Sequence, residues 1–588
     1  MLLLAGRLRE LDTAALAELI RQRQVPPSGI GDHFDLAEAL LQPASIHRAL
    51  SLLDRDALIG LARLAGGDRE AEPPSVLHRA AELQLLRMQP EPALYDAVAQ
   101  QLGAWMAAHP GALDPDASAP PTAGRDQPVP LERTDRLAAE LAFAAVTAIA
   151  EVLIELDRRP GTALSGGGMA SSTIKRLAEM LSQDPATVAA LTGVATLAGL
   201  TVSLSGEWQP TRRGEQWLLA DSGQRWAALA TAWQGGLEPD IRHLLVTTPV
   251  WGDALPRHAR WLYPAAGEEL LGPLDREAET AGLLGVAAEG RPSSAGEALL
   301  HGDAEGARVR MAALFPSQVE QVYLQRDLTV IAPGPLAPRI DARLRTMAEP
   351  ESRGLATSYR FSAASMNGAM AAGETAETMR GFLSGIALAG IPQPLDYLIS
   401  EAAQRFGLLR VGADGEGSYL RSGDAQLLDA VLVDQSLSPL RLRRRDEVTA
   451  TSPRGLHTVY FSLSDARYPV AAEDGEGRPK ALRRRQAEDP PPPGPDPAVE
   501  LARALHDAVG PAETGRAWLA KQLDLAIRNR IGLVVSVTLP DGGSRDYELE
   551  PASVSGGRLR SRDRRSAVER TLPLSSITAV RPAEERAN

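Results

Sequence analysis

Cysteine is absent from the 588 residues. That removes disulfides, thiolate nucleophiles, iron–sulfur clusters and cysteine-based zinc sites together. Lysine is nearly absent too, occurring only at Lys175, Lys480 and Lys521. None of the three stands in the GK[ST] context that a Walker A phosphate loop requires. Histidines are scattered without HExxH or H-x3-H spacing, and no G-x-S-x-G occurs, so zinc hydrolase and serine hydrolase chemistry have no motif. The formal charge of −13 excludes a protein that coats nucleic acid by bulk attraction, although local basic patches remain open. The start, MLLLAGRLRELDTAALAELI, has no basic n-region and reads as an amphipathic helix, not a signal peptide. The most apolar stretch, 137–156, contains Glu140, Glu151 and Glu155, each costly in a bilayer, so no membrane contact is expected and the address is cytoplasmic or nucleoid-associated.

What is present predicts a multidomain α+β protein. Its N-terminal half reads as helical and winged-helix-like, its centre as an α/β module, and its C-terminus as a small β-barrel. Residues 1–108 carry short amphipathic helices, with Asp12 placed to cap one bearing Leu16, Leu19 and Ile20. A linker at 109–130 follows, rich in proline and small residues. In 131–239 a long helix precedes LSGGG, two helices (ASSTIKRLAEML and DPATVAALTGVATLAGL) and TVSLSGEWQPT. That order spells a winged helix-turn-helix, with Ser171 or Ser172 as an N-cap and Trp208, Trp217, Trp226 and Trp233 as its aromatic core. Its second helix lacks Lys, Arg, Asn and Gln, which favours packing or protein binding over base readout. Residues 240–316 read as helical and winged-helix-like, 317–424 as the central α/β module, and 425–480 as a smaller α/β module. A proline-rich linker at 481–497 then leaves the final segment, 498–588, as a separate body of helices and strands. Asp541-Gly542-Gly543 marks a hairpin there.

Two tempting sites dissolve on inspection. Ser172-Thr173-Ile174-Lys175 has the S-x-x-K spacing of penicillin-binding enzymes but no K-T-G companion. Asp446-Glu447 is followed by Val448-Thr449, where a Walker B box would continue differently, and reads as a charged turn. No catalytic residue, metal ligand or cofactor is expected, and the chain is read as not an enzyme.

In the central module, DLTVIAPGPLAP opens a strand and turn. Ser362 in YRFSAASM caps a helix, Thr375 or Glu374 in AAGETAE starts another, and Pro394 in IPQPLDYLI starts a third. Gly407 stops that helix, and Leu408–Val411 is expected to return as a strand. Across about 320–412 this series resembles the N-terminal domain of XPB-type repair helicases. The flanks look like actinobacterial helicase-associated proteins that carry this domain without a motor. The C-terminal strands are similar to a divergent WYL-type ligand- or nucleic-acid-sensing barrel, although Trp-Tyr-Leu is missing and Ser575-Ser576 stands where Asp-Arg is common. The resemblance implies a non-catalytic accessory or scaffold in DNA repair or another DNA transaction, binding an XPB-type helicase or other repair protein, DNA without sequence specificity, or both. The alternative is a transcriptional regulator that combines winged helices with a WYL-like sensor.

Arginine supplies the candidate contacts, because its planar fork donates two parallel hydrogen bonds to phosphate. The candidates are Arg326, Arg353 and Arg360 in the central module, and Arg441, Arg443, Arg444 and Arg445 after it. In the C-terminal segment they are Arg560, Arg562 and Arg570, with Arg558, Arg564 and Arg565 beside them. The competing reading is that neighbouring acids pair them off.

Overall fold

The computed structural model describes residues 1–68, 74–88, 91–114, 118, 130–352, 357–415, 417–478, 480, 482, 494–507, 514–539 and 543–583. The Asp541-Gly542 turn, Arg353 and about two thirds of each linker lie outside the described residues. Two compact units emerge, one built from 1–124, 253–275 and 492–588, the other from 125–252 and 276–491. The helical stretch 240–316 is thus divided between them.

In the first unit, acids start the short helices. Asp12 accepts from the Ala15 amide at 2.8 Å, Asp54 from the Ala57 amide at 2.8 Å, and Asp32 forms a reciprocal capping box with Asp35. Their apolar faces bury Leu4, Leu8, Leu16, Ile20, Leu36 and Leu50. Arg23 is buried among them and satisfies free helix-end carbonyls, donating to Leu40 and Leu83. Burial lowers its pKa to about 10.

The C-terminal strands do not form a body apart: Leu533, Val535, Leu549 and Leu559 share one hydrophobic cluster with those N-terminal helices and with Leu501, Leu505 and Leu523. Nor do they close into a barrel. Five strands run in the order 569–573, 558–563, 544–555, 533–538, 577–582, and no pairing joins the two edges among the described residues. A barrel must bury its interior against itself. Here helices cover that face, so the edges gain nothing by meeting.

The second unit is organised around Leu131–Arg158, whose Ala138, Ala142, Val146, Ile149, Val152 and Leu156 are buried. Its length and apolarity match those of a membrane-spanning helix, but these residues serve as core. Glu151 on this helix accepts from Arg345 at 2.6 Å, and Arg345 also grips Asp341 at 2.9 Å. The two helices Ser171–Leu181 and Pro185–Leu197 and the hairpin 201–204/207–210 follow in the expected order. Ser171 is the first helical residue and not the cap: Ala170 holds the N-cap position, because the Gly167–Gly168 turn returns the chain early and the Ala170 amide bonds Thr162. The four tryptophans are buried, but no ring pair joins them among the described residues. Each instead donates its indole N–H separately, Trp208 to Gly168, Trp217 to Arg225, Trp226 to Leu284 and Trp233 to Glu277.

The central module carries an antiparallel sheet ordered 349–352, 357–360, 329–332, 323–324. Val330, Tyr359 and Phe361 anchor its core with Met366, Met379, Leu383, Leu395 and Ile399. Ser362 and Thr375 each form a capping box, and proline stands in the first turn of Gln393–Arg405. After Ala332 the Pro333-Gly334-Pro335 turn is pinned by Val319, which bonds Pro335 and Ala337.

The strand expected to return to this sheet does not. Leu409–Asp414 pairs with Gly417–Ser422 as a hairpin and with Val470–Ala472 in parallel, and sits in a second sheet ordered 443–444, 449–452, 417–422, 409–414, 470–472. A partner strand across a glycine turn costs far less chain entropy than one many residues away. Leu409, Val411 and Leu420 then bury against Val459 and Leu463.

Candidate nucleic-acid interface

Alternation in the 409–422 hairpin divides the second sheet into an apolar face and a polar one. Residues paired directly across antiparallel strands share a face. Arg443 pairs with Thr451, Thr451 with Tyr419, and Tyr419 with Gly412, so these four form one row across the sheet. In the next row Thr449 pairs with Arg421, and Arg421 with Arg410. Arg445 extends it, its amide bonding the Thr449 carbonyl at 2.9 Å. Four arginines and one tyrosine therefore occupy the face opposite the core.

Like charges placed directly opposite repel, and Arg410 faces Arg421. Glu473, just past the end of the parallel strand, answers both. Its carboxylate accepts from Arg421 Nε and Nη2 at 2.7 and 2.6 Å, from Tyr419 Oη at 2.7 Å, and from Arg410 Nη1 at 3.5 Å. The glutamate side chain is 1% exposed, while Arg421 and Arg410 remain 45% and 38% exposed. Burial alone would raise the Glu473 pKa. The bonds from Arg421 and Tyr419 and the Arg421 charge outweigh it, holding the carboxyl below the ordinary glutamate value. Burial and then the Glu473 bond push the Tyr419 phenol up. One carboxylate thus orients the Arg421 guanidinium and a phenol, and joins the Gly407 and Gly477 carbonyls, at 3.2 and 3.3 Å, in holding Arg410.

The sequence candidates fall into three separate sets. Arg326 is exposed in the turn before Thr329, without an ion pair among the described residues. Arg360 is paired with Glu351 and donates to the Asp327 carbonyl at 3.1 Å. Of the run after the module, Arg444 is taken by Asp429. Arg445 is 66% exposed, with Asp414 at 3.8 Å. Arg441, held at φ 51°, and Arg443 are exposed and make no ion pair among the described residues. The neighbouring Asp446 is a turn residue, accepting from the Val448 and Thr449 amides at 2.9 and 2.7 Å.

In the first unit, Arg558, Arg560 and Arg562 alternate along one exposed strand face. Arg562 is flanked in register by Glu550 and Glu569, Arg560 by Ser553 and Thr571. Arg570 is bound to Asp563 at 2.6 Å and lies 4.7 Å from the Tyr547 ring centre. Arg564 pairs with Glu550 at 3.0 Å and Arg565 with Glu548 at 3.6 Å. The acid-pairing alternative therefore holds for Arg360, Arg444, Arg564, Arg565 and Arg570 and, at 3.8 Å, for Arg445; among the described residues it does not hold for Arg326, Arg441, Arg443, Arg558, Arg560 or Arg562.

Arg410, Tyr419, Arg421 and Glu473 were not among the candidates. The first three were readable: LRVGADGEGSYLR alternates about a glycine turn, which puts Arg410 opposite Arg421 and Gly412 opposite Tyr419. Glu473 has no local signal, lying 52 residues beyond Arg421.

Residues 322–446 match the protein family described as the helicase conserved C-terminal domain, which makes the chain helicase-related. The match takes in the central sheet and Arg410, Tyr419, Arg421, Arg443 and Arg445 of the second, and stops before Glu473. No curated protein matches the chain.

Proposed function

We propose that this helicase-related chain is a non-catalytic accessory or scaffold protein of DNA transactions, which holds DNA through the polar face of its second sheet and leaves the motor to a helicase partner. The observation that carries the reading is the spacing of Arg410, Arg421, Arg443 and Arg445 over one exposed face. Neighbouring strands lie about 4.8 Å apart, so these side chains span several phosphates of a strand laid across the sheet. Glu473 orients Arg421, and with the Gly407 and Gly477 carbonyls Arg410, while both guanidinium groups stay part-exposed. The lack of GK[ST] supports a role without ATP hydrolysis. The helix Pro185–Leu197 presents no basic side chain, which weighs against base readout by the regulator alternative.

The test is binding of the full chain to forked and duplex DNA over a salt series, together with affinity purification from the native cell. Weak, salt-dependent, sequence-independent binding and recovery of a helicase are expected. Tight sequence-specific duplex binding without a helicase partner would reject the reading, as would ATP hydrolysis by the purified chain.

A further inference from the structure

Tyr419 is placed unlike an ordinary surface tyrosine. Its row partner across the hairpin is Gly412, and a Cβ built there would lie 2.3 Å from Tyr419 Oη, 2.4 Å from Cζ and 2.6 Å from Cε1. The ring thus crosses the sheet in the space that only glycine leaves, and is only half-buried there. Its hydroxyl is held by Glu473, which Arg421 clamps with two bonds. On the other side in the row stands Thr451, too small to cover the ring, and beyond it the exposed Arg443. A fixed aromatic ring bordered by cations matches a nucleotide on both counts, the ring to the flat base and the arginines to its phosphates.

We infer that Tyr419 is a stacking platform for an unpaired base, so that the ligand of this face is single-stranded nucleic acid. The inference rests on the phosphate-binding reading above and names its substrate class. Shape keeps this face out of a duplex groove, so that a duplex meets it only through its outer phosphates. Five strands span about 19 Å at 4.8 Å spacing, whereas a major groove about 12 Å wide admits a helix or a two-stranded ribbon. Paired bases within a duplex also offer no ring face to a flat sheet. A splayed single strand offers both its bases and its backbone.

The experiment uses the full chain and two probes of equal length and charge, a fluorescent oligothymidylate and the corresponding abasic strand. The native protein should bind the oligothymidylate about tenfold more tightly than the abasic strand. Tyr419→Leu, which still covers Gly412, should erase that preference, while Tyr419→Phe should retain most of it. Circular dichroism melts of each variant identify any loss of folding. Equal binding of both probes by the native protein, or a folded Tyr419→Leu variant that keeps the preference, would overturn the stacking inference alone. Failure of the native protein to bind either probe would overturn the phosphate reading and this inference together.

Discussion

Two sheets in this protein carry rows of arginine, and they use them differently. In the C-terminal sheet Arg558, Arg560 and Arg562 repeat along a single strand, with Glu550 and Glu569 flanking the last of them and no aromatic residue in register beside them. In the second sheet the arginines are spread over several strands, and a buried carboxylate past one edge strand ties two of the guanidinium groups and a tyrosine into one arrangement. Charge alone does not separate the two faces. What separates them is whether the cations are arranged around a fixed ring or alternate along a single interior strand.

The largest expected effect breaks that comparison directly. Arg443→Glu with Arg445→Glu should lower the slope of log affinity against log salt by about 2, at a loss of about a hundredfold or more near 0.1 M salt. Arg558→Glu with Arg560→Glu should leave the slope unchanged. Anisotropy titrations from 50 to 300 mM salt check both, and equal effects would remove the distinction between the faces.

Next in size is the hub. Glu473→Gln leaves the facing Arg410 and Arg421 without their shared charge, and should destabilise the protein by about 2 kcal/mol in urea unfolding, after allowance for the exposure of both arginines. A smaller loss, about 1 kcal/mol, is expected for Gly412→Ala, because the new methyl group displaces the Tyr419 ring and frees its hydroxyl from Glu473. That variant should also lose the preference for base-bearing strands, and a variant that keeps it would show that the ring position is incidental.

The smallest effect is a difference in acid response. Glu473 and Asp563 both have depressed pKa values in the folded protein, so each contributes stability above its ordinary value and loses it as pH falls through the folded value. Arg570, then the backbone amide of Ser566, hold Asp563 down to about 2. Its contribution should persist until pH falls from about 4 towards 2. Amide hydrogen exchange between pH 5 and 2.5 should show the 409–422 hairpin loosening in native protein but less in Glu473→Gln, and the 558–563 strand loosening in native protein but less in Asp563→Asn.

Local chemistry made much of this molecule readable. Asp12, Ser362 and Thr375 cap the helices they were expected to cap, because a cap needs only residues a few positions away. The outcome was less readable where distant segments compete. Whether the C-terminal edges pair depends on helices that cover the sheet instead, Thr514–Arg528 just before it and Leu2–Glu10 at the far end of the chain. The fate of Leu409–Asp414 depends on the hairpin turn beside it, which propensity and helix stops alone do not weigh. The arginine run 441–445 drew the eye as a run, yet Arg444 is paired and the face is completed by Arg410 and Arg421, two strands that only register brings together.

The most direct test of the central claim is photocrosslinking of the full chain to a single strand carrying 5-bromouracil, with the attached peptide identified by mass spectrometry. The predicted product joins the base to the peptide containing Tyr419, and is lost in the Arg443→Glu, Arg445→Glu protein. Crosslinks confined to the 558–570 strands or to the helix Pro185–Leu197 would contradict it.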